Sequence, residues 1–303
     1  MNILAIGSHP DDIELGCGGT LLKAVENGHN LFLFTLTNGA ASGNPIERTV
    51  EMLQSARMLK AKSLWIDSFQ DGRLINGFQL ISHLEYVINE CDPDIVFTHL
   101  LSDYHHDHRA VAISTLEAGR NCHNIMSYEV PYSRKFDPQA YFDVSDVIDK
   151  KVRLIEIFAS QRGKPLTRRN SVKALAQFRA IQDREEARYV EGFEVMRLHI
   201  GNSFNLIKPF RAGVRKVVIE TIKSPMNGMI KFQPKDGTFE IGPRIGSSDG
   251  LRMEGNNGSK NEMTRRLKQI LESVASAAAE REIDDLQSNQ AISKKVSRFS
   301  QQV

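Results

Sequence analysis

The sequence predicts a Rossmann-like α/β fold, a parallel sheet with helices on both faces. Three observations predict it. Short apolar runs bounded by turn residues recur along the first two hundred residues, segments with helical spacing separate them, and 303 residues at 41% hydrophobic and 25% charged suffice for a large buried core. Residues 2–7 (NILAIG) and 30–36 (NLFLFTL) read as buried parallel strands. The helical spacing between them, GTLLKAVENGHN, ends near Gly28, a residue suited to a helix C-cap. Residues 46–60 form a second amphipathic helix, 63–66 (SLWI) a third strand, 78–90 a third helix and 94–99 (DIVFTH) a fourth strand. Further on, NIMSYEV and AYFDV read as strands, and 145–161 and 171–192 as helices. Strands alternating with helices of this length imply right-handed βαβ units.

Composition shifts near residue 205, from a net charge of −4 before residue 204 to +6 after it. The expected division is therefore an α/β domain over 1–203 and a C-terminal extension of unassigned role over 204–303. That extension reads as β-rich over 213–245, a Gly/Ser/Asn-rich linker over 246–260, a helix over 261–283 and a frayed tail. The overall net charge of +2 argues against a nucleic-acid binder. The N-terminus MNILAIGSHPDD lacks the basic region of a signal peptide, and no apolar run reaches the roughly 18 residues of a membrane span. Cys17, Cys91 and Cys122 are widely spaced with no CxxC pair, so a cytoplasmic setting without disulfides is expected.

Two stretches carry chemistry. Ser8-His9-Pro10-Asp11-Asp12-Ile13-Glu14 follows the first strand, and Asp103-Tyr104-His105-His106-Asp107-His108 follows the fourth. Both lie at the carboxyl edge of the expected sheet, where open α/β folds bind ligands. Four of the nine histidines, His99, His105, His106 and His108, fall within ten residues. Imidazole with carboxylate suits zinc, and a catalytic zinc has three protein ligands and one open position. His9, Asp12 and one histidine of the second stretch make such a set, leaving Asp11 as a base. The structural alternative is helix capping, by Asp11 or Asp12 for the first helix and by Asp103 for the helix starting near His106. Gly16-Cys17-Gly18-Gly19 lacks the last glycine of a dinucleotide fingerprint, since Leu21 stands there, and Cys17 reads as core.

GSHPDDIELGCGGTL followed by DYHHDHRAV resembles the PIG-L/LmbE-like family of zinc-dependent N-deacetylases. Supporting matches are Arg48-xx-Glu51, Phe69-Gln70-Asp71-Gly72, Tyr128-Glu129, and Lys151 through Ser160-Gln161, so the resemblance spans roughly residues 1–200. It implies an LmbE-like sheet and one Zn2+ per chain held by His9, Asp12 and His108. It further implies Asp11 as general base, His105 as oxyanion stabiliser or acid to the leaving amine, and Asp107 as the group orienting His105. The family pattern often has proline where this chain has His106.

The expected function is zinc-dependent hydrolysis of the N-acetyl group of a small N-acetylated sugar or glycoconjugate, with Arg48, Asn38 and Asp103 as hydroxyl binders. The alternatives are an amidase acting on a thiol–sugar conjugate and a non-catalytic carbohydrate-binding module with a vestigial metal site. An intact base and acid at Asp11 and His105 argue against the last. The partner expected is the small-molecule substrate, with no membrane or nucleic acid, and the family resemblance leans towards a homo-oligomer.

Overall fold

The computed structural model describes residues 1–130, 133–183, 187–199, 229–235 and 238–241. All of them lie in the first of two units, Met1–Ser247. Five parallel strands form the centre of the sheet: β1 (Asn2–Gly7), β2 (Asn30–Thr35), β3 (Ser63–Ile66), β4 (Ile95–Thr98) and β5 (Ile125–Tyr128). The helices are α1 (Asp12–Glu26), α2 (Pro45–Met58), α3 (Phe78–Cys91), α4 (His106–Ala118), α5 (Ile148–Glu156) and α6 (Arg169–Asp183). Antiparallel strands complete the sheet: β6 (Ala140–Asp143) and β7 (Val190–Arg197) beyond β5, and β8 (Ile230–Lys235) and β9 (Thr238–Ile241) beyond β3. The order is β6-β7-β5-β4-β1-β2-β3-β8-β9. Every residue of β1 from Ile3 to Gly7 is buried, as a strand covered on both faces requires. Leu4, Ile6, Phe34, Trp65, Leu84, Val96 and Val111 join strands and helices in one core. No described helix is long and apolar enough to cross a membrane.

The chain leaves β1 towards β2 and β3 on one side and then returns to lay β4 against the other side of β1. This reversal of strand order opens a crevice at the carboxyl ends of β1 and β4. The two histidine- and aspartate-bearing stretches follow these two strands. Strand order thus brings residues nearly a hundred positions apart to one place.

Three boundaries differ from the sequence expectations, each for a tertiary reason. First, α1 begins at Asp12 and runs through Gly16, Gly18 and Gly19, which lower helix propensity locally. The glycines answer to packing: a Cβ on Gly16 would lie 2.2 Å from the Tyr128 ring, and one on Gly19 would lie 2.9 Å from the Glu191 carboxylate. Second, the helix expected over 145–161 stops at Glu156, because the Glu51 carboxylate accepts from Ser160 N at 2.8 Å and from its hydroxyl at 2.7 Å, drawing the chain into a short 3-10 turn. Third, the helix expected over 171–192 ends at Asp183, and Val190–Glu191–Gly192 belong to β7, which pairs with β5 and β6.

Within the stretch assigned to the C-terminal extension, β8 pairs with β3 in the main sheet, with Phe232 opposite Leu64 and Ile230 opposite Ile66. Met229 and Phe232 are buried. The linker over 246–260, the helix over 261–283 and the tail lie outside the described residues.

A buried ion pair is set against the middle of α1. Lys151 Nζ donates to Leu15 O at 2.7 Å and lies 2.6 Å from Glu191 Oε1. Glu191 in turn accepts from Gly19 N at 2.8 Å and from Thr20 N at 2.7 Å. Leu15 O and Gly19 N are an acceptor and a donor four residues apart in the same continuous helix. The pair therefore binds the helix to α5 and β7 through its backbone. Lys151→Met leaves the Glu191 carboxylate buried without its cation, and should cost about 3–5 kcal/mol of stability in denaturant titrations. Adding Glu191→Gln should then cost much less than it does alone.

Candidate active site

The loop from β1 to α1 makes a sharp turn at Asp11, whose φ of 91° lies in the left-handed region. A non-glycine residue held there stores roughly 1–3 kcal/mol of strain. Asp11 occupies the N-cap position but makes no side-chain cap. Its carboxylate lies instead 3.3 Å from Arg48 Nη2, which also donates to Pro10 O at 2.6 Å. Arg48 Nη1 donates to Gly39 O at 3.1 Å and to the Ser42 hydroxyl. The loops after β1 and β4 are tied together where Ser8 N donates to His99 Nε2 at 2.9 Å.

Asp12 Oδ2 is the centre of the site. His9 Nδ1 lies 3.2 Å from it, His99 Nε2 3.2 Å and His108 Nε2 3.5 Å, and the backbone N of His9 donates to it at 2.8 Å. His99 and His108 stack with ring centroids 3.9 Å apart. On its other edge, His9 Nε2 lies 3.1 Å from both Asp71 Oδ1 and Asp107 Oδ2. Asp107 is itself fixed by Gly72 N at 2.8 Å and Leu74 N at 2.9 Å, which fastens the loop after β3 to the first turn of α4.

These contacts set the charges. Burial opposes ionisation of Asp12, but the imidazoles of His108, His99 and His9 outweigh it and hold its pKa well below the ordinary carboxylate range. Burial also opposes charge on His9, yet hydrogen bonds to Asp107, Asp12 and Asp71 push its pKa up to about 12. Asp11 goes the other way. Burial and the neighbouring Asp12 charge raise its pKa to about 7 against the pull of Arg48. Burial lowers His99 to about 4 and lowers His105 from its ordinary value, with His108 adding to both.

The residues present suit a divalent metal. Ligand atoms of Asp12, His99 and His108, and separately those of His9, His105 and His108, lie within 4.8 Å of one another. The donors are imidazole nitrogen and carboxylate oxygen, the set that zinc takes.

The structure thus brings His9, Asp12 and His108 together with Asp11 beside them, and it redistributes the supporting residues. Asp107 was expected to orient His105. Its hydrogen bonds run to His9 and to the loop after β3, against which it is fully buried, and a ring nitrogen of His105 lies within 4.8 Å of its carboxylate. Arg48 and Asp103, expected to bind substrate hydroxyls, are buried: Arg48 holds the Asp11 loop, and Asp103 accepts from His105 N and the Ser133 hydroxyl, both at 2.8 Å. Asp103 likewise does not cap α4, whose N-cap residue is His105. Asn38 is half-buried after the end of β2. Two residues had no assigned role in the sequence reading: His99, which touches the Asp12 carboxylate, and Asp71, which touches His9. Their signal is position: His99 follows β4 immediately, and Asp71 lies in the loop that follows β3.

A family model described as PIG-L: GlcNAc-PI de-N-acetylase matches residues 4–118. The uncharacterized deacetylase YaiS of Escherichia coli (strain K12) is 34% identical over 152 residues, covering 48% of this chain and 82% of that protein. The chain belongs to the PIG-L/LmbE-like deacetylase family. Its similarity extends to the diacetylchitobiose deacetylase of Thermococcus kodakarensis (strain ATCC BAA-918 / JCM 12380 / KOD1), 29% identical over 187 residues, or 52% of this chain and 69% of that one. Among solved structures, the conserved protein TT1542 from Thermus thermophilus superposes with a TM-score of 0.60 at 25% identity, covering 70% of this chain and 99% of that one.

As a family member with imidazoles converging on Asp12, the purified protein should carry a divalent metal near stoichiometry. Asp12→Ala and His108→Ala should each lose most of it in elemental analysis; full retention in both would show that the metal is held elsewhere.

Proposed function

We propose that this chain hydrolyses the N-acetyl group of a small N-acetylated sugar or glycoconjugate, using one zinc held by His9, Asp12 and His108. The observation that carries the reading is a division within one adjacent pair. Asp12 Oδ2 is met by the rings of His9, His99 and His108, which favour its ionised form, whereas Asp11 is turned away from them beside Arg48, and burial raises its pKa. Two neighbouring carboxylates pushed apart in this way mark a ligand and a base. The names of the E. coli and Thermococcus relatives and the family description support deacetylation, and the second relative's name supports a sugar.

A zinc ion in this set supplies Lewis acidity, polarising an amide carbonyl and acidifying water. The chain's own groups do the rest. Asp11, with a pKa of about 7, takes the proton as water attacks the acetyl carbon. Arg48 holds Asp11 in its left-handed turn and orients the accepting carboxylate. His105 is exposed, and its ring lies 4.9 Å from that of His9 and 4.6 Å from that of His108. From there it donates to the developing oxyanion or delivers the proton to the leaving amine. Asp71 and Asp107 keep the His9 ring in place from behind. Asn38 is retained as a hydroxyl contact on the rim. A carbohydrate-binding module needs no base held near pH 7, so Asp11 also weighs against that reading, and an amidase on a thiol–sugar conjugate would use the same groups. The buried thiols Cys17, Cys91 and Cys122 support a cytoplasmic setting.

The test is release of acetate from a panel of N-acetylated sugars by the zinc-loaded protein. Asp11→Asn should keep its metal and lose roughly 10²–10⁴-fold in kcat, the usual worth of a general base. Metal loss in that variant, with retention in Asp12→Ala, would exchange the two roles.

The pH profile gives a second check. Asp11 works as the anion, so kcat/KM should fall as pH drops through its pKa. The Arg48 charge stabilises that anion. Arg48→Met should therefore move the acidic limb to higher pH, and an unmoved limb would separate Asp11 from the rate-limiting proton transfer.

A further inference from the structure

We propose that His105, His106 and Asp107 form a second, outer divalent-cation site, and that zinc filling it inhibits the enzyme by taking His105 out of the reaction. None of the three belongs to the inner set of His9, Asp12 and His108. Each offers a ligand atom, and the three atoms lie within 4.8 Å of one another. His106 Nε2 is 2.9 Å from Asp107 Oδ1, and the rings of His105 and His106 stack with an interplanar angle of 12° and centroids 5.3 Å apart. A tetrahedral zinc with bonds of about 2.0–2.1 Å brings its donors to roughly 3.3–3.5 Å from one another. Reaching that spacing asks the His106 nitrogen to move out from its 2.9 Å on Asp107 and the imidazoles to turn. Both are exposed, His106 with 53% of its side chain accessible, so they can do so, while Asp107 is fixed by two backbone N–H groups and supplies a rigid anchor.

The site is a property of this chain's sequence. Where the family resemblance often has proline, His106 supplies the imidazole that turns His105 and Asp107 from a pair into a three-donor set. His106 is the first residue of α4, and at rest its Nε2 donates to Gly72 O at 2.6 Å. Zinc displaces that hydrogen bond. Two neutral imidazoles and one carboxylate at a helix N-terminus, where the helix dipole disfavours cations, make a weaker site than the buried inner one. Filling it is therefore an effect of excess metal. A metal-bound His105 nitrogen has no lone pair and no mobile proton to offer, and the tethered ring can no longer turn to serve the oxyanion or the amine. The inhibitory consequence rests on the role proposed above for His105; the metal site itself does not.

The experiment is equilibrium dialysis of the full chain against Zn2+ alone, with elemental analysis, in parallel with acetate release across the same zinc series. Two variants remove the imidazole. His106→Pro places a residue favoured at the first position of a helix, and His106→Gln keeps a donor for Gly72 O. The wild type should take up a second, weaker equivalent of zinc, and its rate relative to its own rate at one equivalent should fall as that second equivalent binds. Both variants should bind the second equivalent at least about tenfold more weakly and keep a flat relative rate. A wild type that saturates at one equivalent, or variants that take up the second as tightly, would overturn the proposal. A second equivalent lost in both variants, in a protein that hydrolyses none of the N-acetylated sugars, would uphold the outer site and sink the deacetylase reading instead.

Discussion

Burying a carboxylate costs several kcal/mol unless positive or polar partners meet it. In this molecule the constraint falls on Asp12, which is 6% exposed at the point where the strand order reverses. Three imidazoles and a backbone N–H converge on one of its oxygens. Each of those imidazoles then needs a support of its own. His9 leans on Asp71 and Asp107, His99 accepts from Ser8 N and meets the Tyr128 hydroxyl at 3.2 Å, and His108 stacks on His99. The loops after β1, β3 and β4 are thus joined by the partners of a single side chain. A bound cation would replace part of this compensation, so the same cluster is both a stability problem and a candidate metal site.

The next layer outward is built from backbone groups. Gly72 and Leu74 hold Asp107, Pro10 and Gly39 carbonyls hold Arg48, and Leu15 with Gly19 hold the Lys151–Glu191 pair. Backbone partners fix position more tightly than long side chains do, since they add no rotamer freedom of their own. Positioning the reacting groups to a fraction of an ångström asks for this kind of support. It also explains why Arg48 and Asp103, polar residues beside a crevice, face inward: loops bent this sharply leave carbonyls and N–H groups that have to be satisfied.

The parallel strands and the position of the two histidine- and aspartate-bearing stretches were legible in the sequence because each is local. Apolar runs of four to seven residues declare a buried strand, and His-x-Asp-Asp after such a run declares polar chemistry at its end. What could not be read depends on partners distant along the chain. The helical course of Gly16–Gly19 is decided by Tyr128 and Glu191, and the early end of α5 by Glu51. The strand at Val190–Arg197 is decided by the free edge of β5. The same holds in the site. Asp107 was assigned to His105, two residues before it, whereas its hydrogen bonds to His9, Gly72 and Leu74 reach two other loops that the sequence does not place beside it.

The pairing of β8 with β3 has a consequence for where the chain can be cut. The shift in charge near residue 205 invites a boundary there, yet Ile230–Phe232 cover the edge of a strand whose four residues are all buried. A chain ending before that segment would present Leu64, Trp65 and Ile66 with an open row of backbone donors and acceptors. Such an apolar edge recruits strands from other molecules. A shortened protein would then be lost to self-association even with every residue around Asp12 in place, and its insolubility would say nothing about catalysis.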